Sequence, residues 1–105
     1  MSVTVIALPE YEYDYMARTP DEQTAIDRAV REVRRIALAW TRGPLPLAEF
    51  DPLLRPHYLR DGVWAIDWET RNGRITLSFD DLDPTGCPAR IHLRRVGGHE
   101  IYAQP

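Results

Sequence analysis

The chain has 105 residues, of which 44% are hydrophobic and 28% charged, with a net charge of −3. That composition belongs to an ordinary globule, not a disordered or fibrous chain, and no apolar run approaches the ~20 residues of a membrane span. One domain over residues 1–105 is expected, with a small core and no deep enclosed cavity.

Val3–Leu8 is a short β-prone apolar run ended by Pro9, read as the first strand. Tyr11, Tyr13 and Tyr15 then alternate with Glu10, Glu12 and Asp14. This fits either a strand or a short helix from about residue 10 with Met16 and Ala17 in its last turn. Thr19-Pro20-Asp21-Glu22 supplies an N-cap hydroxyl, a proline at the first helical position and a glutamate at the third. Behind it Ile26, Ala29, Val30, Val33, Ile36, Ala37 and Trp40 recur at three- and four-residue steps, predicting an amphipathic helix over about 20–40 with one buried stripe. Gly43-Pro44 ends it.

Residues 41–60 contain Pro44, Pro46, Pro52 and Pro56 and read as a loop or a broken short helix. The period then changes to two. Trp64, Ile66 and Trp68 face one side of a strand over Val63–Trp68, and Ala65 and Asp67 the other. Asn72-Gly73 is a hairpin signal, and Ile75, Leu77 and Phe79 alternate with Arg74, Thr76 and Ser78 in the strand that follows. A link rich in Asp, Pro and Gly (80–88) leads to a last strand, Ala89–Val96, where Ile91 and Leu93 alternate with Arg90, His92 and Arg94. The expected fold is two-layer α+β, β-α(-α)-β-β-β, with a mainly antiparallel sheet. One long amphipathic helix covers one face, and the polar alternates lie on the other face or toward solvent. Trp40, Trp64 and Trp68 sit at core-like spacings, and Asp67 reads as an exposed or salt-bridged strand residue.

The three histidines, His57, His92 and His99, have no tight metal-ligand spacing, so neither metal nor cofactor is expected. Asp80–Gly86 lacks the closing glutamate of a calcium loop and reads as an acidic turn. Cys87 is the one cysteine, which excludes an internal disulfide, and it reads as an incidental loop thiol. The start Met1-Ser2-Val3-Thr4 is no secretory signal, so the cytoplasm is the expected location. Charge is uneven along the chain: residues 23–60 and 89–105 are net positive, the rest net negative, and all 13 basic residues are Arg. Every permanent cation is therefore a planar fork suited to carboxylate or phosphate.

Functional groups concentrate in Arg90–Tyr102, which holds two imidazoles, three guanidinium groups, a carboxylate and a phenol, with Gly97-Gly98 at the strand exit. Phosphodiester cleavage needs such a set: a base, an acid and cations for phosphate charge. RNA carries its own nucleophile in the 2′-hydroxyl, and an exposed aromatic stacks on an unpaired base.

Leu93-Arg94-Arg95-Val96-Gly97-Gly98-His99-Glu100-Ile101-Tyr102 resembles the C-terminus of RelE/ParE-superfamily toxins, the YafQ-like branch above all. Leu59–Trp68 resembles the family's second strand and Arg74–Phe79 its third, so the likeness spans nearly the whole chain. The resemblance implies a ribosome-dependent mRNA endonuclease neutralised by a cognate antitoxin, with no membrane association. On it, His99 matches the family's catalytic histidine, His57 offers a second imidazole, and Tyr102 stands for the nearby aromatic. Arg74 matches a phosphate-contacting arginine, with Arg90 and Arg94 as further cations for RNA. The net charge of −3 departs from the usually basic members. A non-enzymatic module of the same fold, gyrase-directed or an inactive antitoxin-binding homologue, is the alternative.

Overall fold

The computed structural model describes residues 4–39, 54–69, 71–82 and 88–105. Strand β1 (Thr4–Ala7) leads through Leu8 into helix α1 (Pro9–Met16) and then α2 (Pro20–Ala39). Four strands follow, β2 (His57–Arg60), β3 (Val63–Glu69), β4 (Gly73–Leu82) and β5 (Pro88–Gly97), and a 3₁₀ helix over His99–Ala103 closes the chain. They form one mixed sheet in the order β1-β5-β4-β3-β2, with β1 parallel to β5 and the other pairs antiparallel. The fold is α+β, as expected. No described helix is long and apolar enough to cross a membrane.

The tyrosine-rich stretch is helical. Proline at its first position presets φ, and Glu10 and Glu12 in the first turn complement the helix dipole. Tyr11 and Tyr15, four apart, stack with ring centroids 6.3 Å apart, whereas Tyr13 points outward. The Tyr15 hydroxyl donates to Asp27 Oδ2 at 3.0 Å, and Gln23 Nε2 donates to the Tyr15 carbonyl, so α2 holds the end of α1.

Helix α2 begins as its sequence signals. Glu22 N–H donates to Thr19 Oγ1 at 3.2 Å and Thr19 N–H to Glu22 Oε1 at 3.0 Å, a reciprocal capping box. Ile26, Ala29, Val33 and Ile36 form the buried stripe, set against Ile66, Ile75, Leu77, Ile91, Leu93 and Val96 of the sheet. Trp64 and Trp68 pack against this core as expected. Trp40, Cys87, the Gly43-Pro44 stop and most of the Asp-rich link lie outside the described residues.

Two expectations need correction. The stretch read as loop or broken helix ends in a strand, β2, which makes four strands after the helices. β2 and β3 join through Asp61-Gly62, both at positive φ (51° and 78°), the backbone a two-residue hairpin of matching twist requires. That Asp-Gly pair is a hairpin signal that four neighbouring prolines obscured. The polar alternates of β4 also lie on the face away from α2, as expected, but Arg74, Thr76 and Ser78 are buried there. The 3₁₀ helix folds back over that face and buries Ile101 against it.

Burial, reinforced by the Asp27 carboxylate and the Tyr15 phenol, raises the Tyr11 pKa well above the ordinary 10.0. The fold keeps this phenol protonated while the unfolded chain ionises it, so stability falls as pH rises past about 10. Urea unfolding midpoints followed between pH 8 and pH 11 should therefore decline less steeply in Tyr11→Phe than in the wild type. Part of the slope remains, since Tyr15 and Tyr102 are shifted the same way. Equal slopes in the two proteins would contradict this role for Tyr11.

Candidate active site on the second face of the sheet

His99 is placed by a turn that three hydrogen bonds fasten to its surroundings. Trp68 Nε1 donates to the Gly97 carbonyl at 3.1 Å, Gly98 N–H to Glu100 Oε1 at 3.0 Å, and His99 N–H to Asn72 Oδ1 at 2.8 Å. The Gly98 N–H, then Glu100's own backbone N–H, hold the Glu100 carboxyl below its ordinary pKa. A side chain at Gly98 would push aside the ends of the Asn72 and Glu100 side chains, the two groups that fasten the turn. The Asn-Gly hairpin and the C-terminal turn therefore fasten to each other, which sets the histidine at one end of the sheet.

In a 3₁₀ helix side chains at i and i+3 eclipse, which brings the His99 and Tyr102 rings together at 4.7 Å and 62°. His57 approaches Tyr102 from β2, with ring centroids 6.0 Å apart at 75° and Nε2 3.2 Å from the phenol oxygen. His57 Nδ1 lies 3.0 Å from the Arg55 carbonyl oxygen. A carbonyl only accepts, so Nδ1 carries hydrogen; in the neutral ring Nε2 then accepts the Tyr102 O–H. Three of the residues singled out from sequence thus converge: His57, His99 and Tyr102.

Beneath them lies a charge cluster. Asp67, 1% exposed, points away from the α2 face. Its Oδ2 accepts from Arg55 Nε at 2.7 Å, and Oδ1 lies 3.4 Å from Arg74 Nε. The Arg74 side chain is 8% exposed, and its Nη1 donates to the carbonyls of Gly73 at 2.9 Å and Glu69 at 3.4 Å. The Arg74 charge also acts on the Tyr102 phenol, drawing its pKa down. Burial raises the Tyr102 pKa, with Asp67 acting in the same sense and Arg74 and Arg55 opposing. Asp67 thus links Arg74 to Arg55, and the Arg55 backbone leads through His57 to the Tyr102 hydroxyl.

The remaining cations lie elsewhere. Arg94 donates from Nε to the Pro105 carbonyl at 3.3 Å and from Nη1 to Ser78 Oγ at 3.5 Å, farther along the same face. Arg90 is exposed and pairs with Thr4 and Asp80 across the strands. It stands seven residues before Gly97, roughly 20 Å away along the strand. Sequence reasoning missed Arg55 as a site residue. Its signal is tertiary, a pairing with a strand residue twelve positions on. No group of three metal-ligating side chains occurs among the described residues. An open groove of about 600 Å³ between α1 and α2 is lined by Tyr11, Tyr15, Met16, Val30 and Leu93 and carries no imidazole.

Removing one partner of a buried ion pair strands the other. Asp67→Asn should therefore lower unfolding stability by about 3 kcal/mol, read from urea midpoints. An unchanged midpoint would mean that Asp67 does not hold the buried Arg74.

No family model matches this chain, and no curated protein matches it by sequence. Solved structures do. A chain of the E. coli DinJ-YafQ toxin-antitoxin complex superposes with a TM-score of 0.65 at 13% identity, covering 95% of this chain and 96% of its own. A YoeB/ParE toxin from Agrobacterium tumefaciens superposes at 0.62 and 16% identity, covering 92% of this chain and 99% of its own. At such identities the likeness is one of architecture: this chain has the fold of those two solved chains over nearly its whole length.

Proposed function

We propose that this protein is the toxin of a toxin–antitoxin pair and an endoribonuclease that cleaves mRNA on the ribosome by general acid–base chemistry, without a metal. The observation that carries this reading is the meeting of His57, His99 and Tyr102 over a cationic cluster on the face of the sheet away from α2. An imidazole takes the 2′-hydroxyl proton as that oxygen attacks phosphorus. The bond to the 5′ oxygen breaks, and a second acid returns a proton to it, leaving a 2′,3′-cyclic phosphate and a 5′-hydroxyl.

His99, exposed beside the Tyr102 ring, is our choice for proton transfer to or from the RNA. His57, tied to Tyr102, is the second acid–base group. Tyr102 also offers its ring to an unpaired base. Arg74 acts from below by adding positive potential at the phenol, and Arg94 and Arg90 extend a cationic track along β5 for the RNA backbone. The partner we assign is a cognate antitoxin, by analogy with the DinJ-YafQ complex. The place of action is the cytoplasm.

Removing one general acid or base typically costs 10²–10⁴-fold in rate. His99→Ala and His57→Ala should each slow cleavage by about that factor in cells where transcript 5′ ends are mapped after induction. Intact transcripts from the wild type would end the nuclease reading, and cleavage undiminished in both variants would move the chemistry to other groups.

A further inference from the structure

We infer that Arg55 is the residue that grips the scissile phosphate, and that Asp67 is the positioning residue that aims it. The identification of the anion as a phosphodiester rests on the nuclease reading above. The site itself rests on charge and geometry.

Asp67, Arg55 and Arg74 together carry one surplus positive charge, and the carboxylate at their centre is buried. Among the described residues Arg55 has no second carboxylate partner. Such a cluster attracts an anion from solution. Of the two guanidinium groups, Arg74 is not free to turn outward to meet it, being buried, ion-paired with Asp67 and bonded to two carbonyls.

Arg55 is placed otherwise. Its side chain is 64% exposed, and among the described residues only Nε is engaged, on Asp67. That bond fixes the plane of the guanidinium and leaves the two terminal nitrogens as an end-on fork, the arrangement that takes two oxygens of a phosphate at once. The anion so held lies beside the acid–base pair, because the Arg55 carbonyl orients His57 and His57 meets Tyr102.

The backbone at Arg55 points the same way. Its φ of 41° is in the left-handed region, where a non-glycine residue costs on the order of 1–2 kcal/mol. Glycine would remove that strain while still presenting the carbonyl to His57. The guanidinium is what a glycine would lack.

The test uses inorganic phosphate as the probe and follows ¹⁵N NMR signals of the arginine Nε–H groups and of the His57 ring, alongside RNA cleavage. In the wild type, phosphate should shift the Arg55 Nε–H and His57 signals. In Arg55→Gln the His57 response should vanish while the unliganded His57 tautomer stays unchanged, and kcat/KM should fall at least tenfold. Arg55→Lys should recover part of both, since it restores charge without the fork. A response confined to Arg74 or Arg94, or one that survives in Arg55→Gln, overturns the assignment. If phosphate binding depends on Arg55 but the wild type cuts no RNA, the anion site stands and the nuclease reading falls. If Arg55→Gln cuts RNA as fast as the wild type, the nuclease reading stands and the anion site falls.

Discussion

A single carboxylate holds the second face of the sheet together. Asp67 is removed from water almost completely, a state that costs several kcal/mol for an ion unless opposite charge replaces the lost hydration. Two guanidinium groups do so, one from the residue preceding β2 by two positions and one from β4. The ion pairs thus tie three neighbouring segments at one end of the sheet. Through Arg74 they reach Tyr102, and through the Arg55 backbone they reach His57. The carboxylate touches neither imidazole in this arrangement, yet His57 is oriented by the arginine it holds.

The other half of the site is carried by the chain end. The 3₁₀ helix is too short to be stable alone, and its position depends on the turn that precedes it. Asn72 and Glu100 satisfy the backbone donors of that turn, while the carbonyls beyond it accept from Arg60, Arg94 and Arg95. Three arginines are therefore partly spent on anchoring the chain end. A charged side chain so placed still contributes potential, but its hydrogen bonds are not all available to a ligand.

Net charge was a poor guide to the site for the same reason. The total of −3 is an average over the molecule, whereas an anion near Tyr102 meets the local excess of the Arg55–Asp67–Arg74 cluster. Part of the acidity sits on α1, where Glu10 and Glu12 complement the helix dipole and Asp14 clamps Arg95 at 2.6 Å. Those groups serve the α1–β5 junction, and steering of a polyanion depends on where positive charge is concentrated.

What the sequence alone determined was what local interactions control. The capping box and apolar stripe specify α2, because the bonds and spacings involved lie within one helix, and the Asn-Gly pair with its alternating neighbours specifies the β3–β4 hairpin. His99 and Tyr102 stood out as candidate site residues through their type and their place after Gly97-Gly98. Alternation also put Arg74 and Asp67 on the face away from α2. It could not reveal that this face is covered, because the cover comes from residues 99–103, some thirty positions away. Nor could it pair Arg55 with Asp67 or His57 with Tyr102, since those contacts exist only once β2 joins the sheet and the chain end folds back. Tertiary structure decided which arginine is buried, which stays open to solvent, and which imidazole meets the phenol, because desolvation and ion pairing depend on neighbours in space and not on neighbours in the chain.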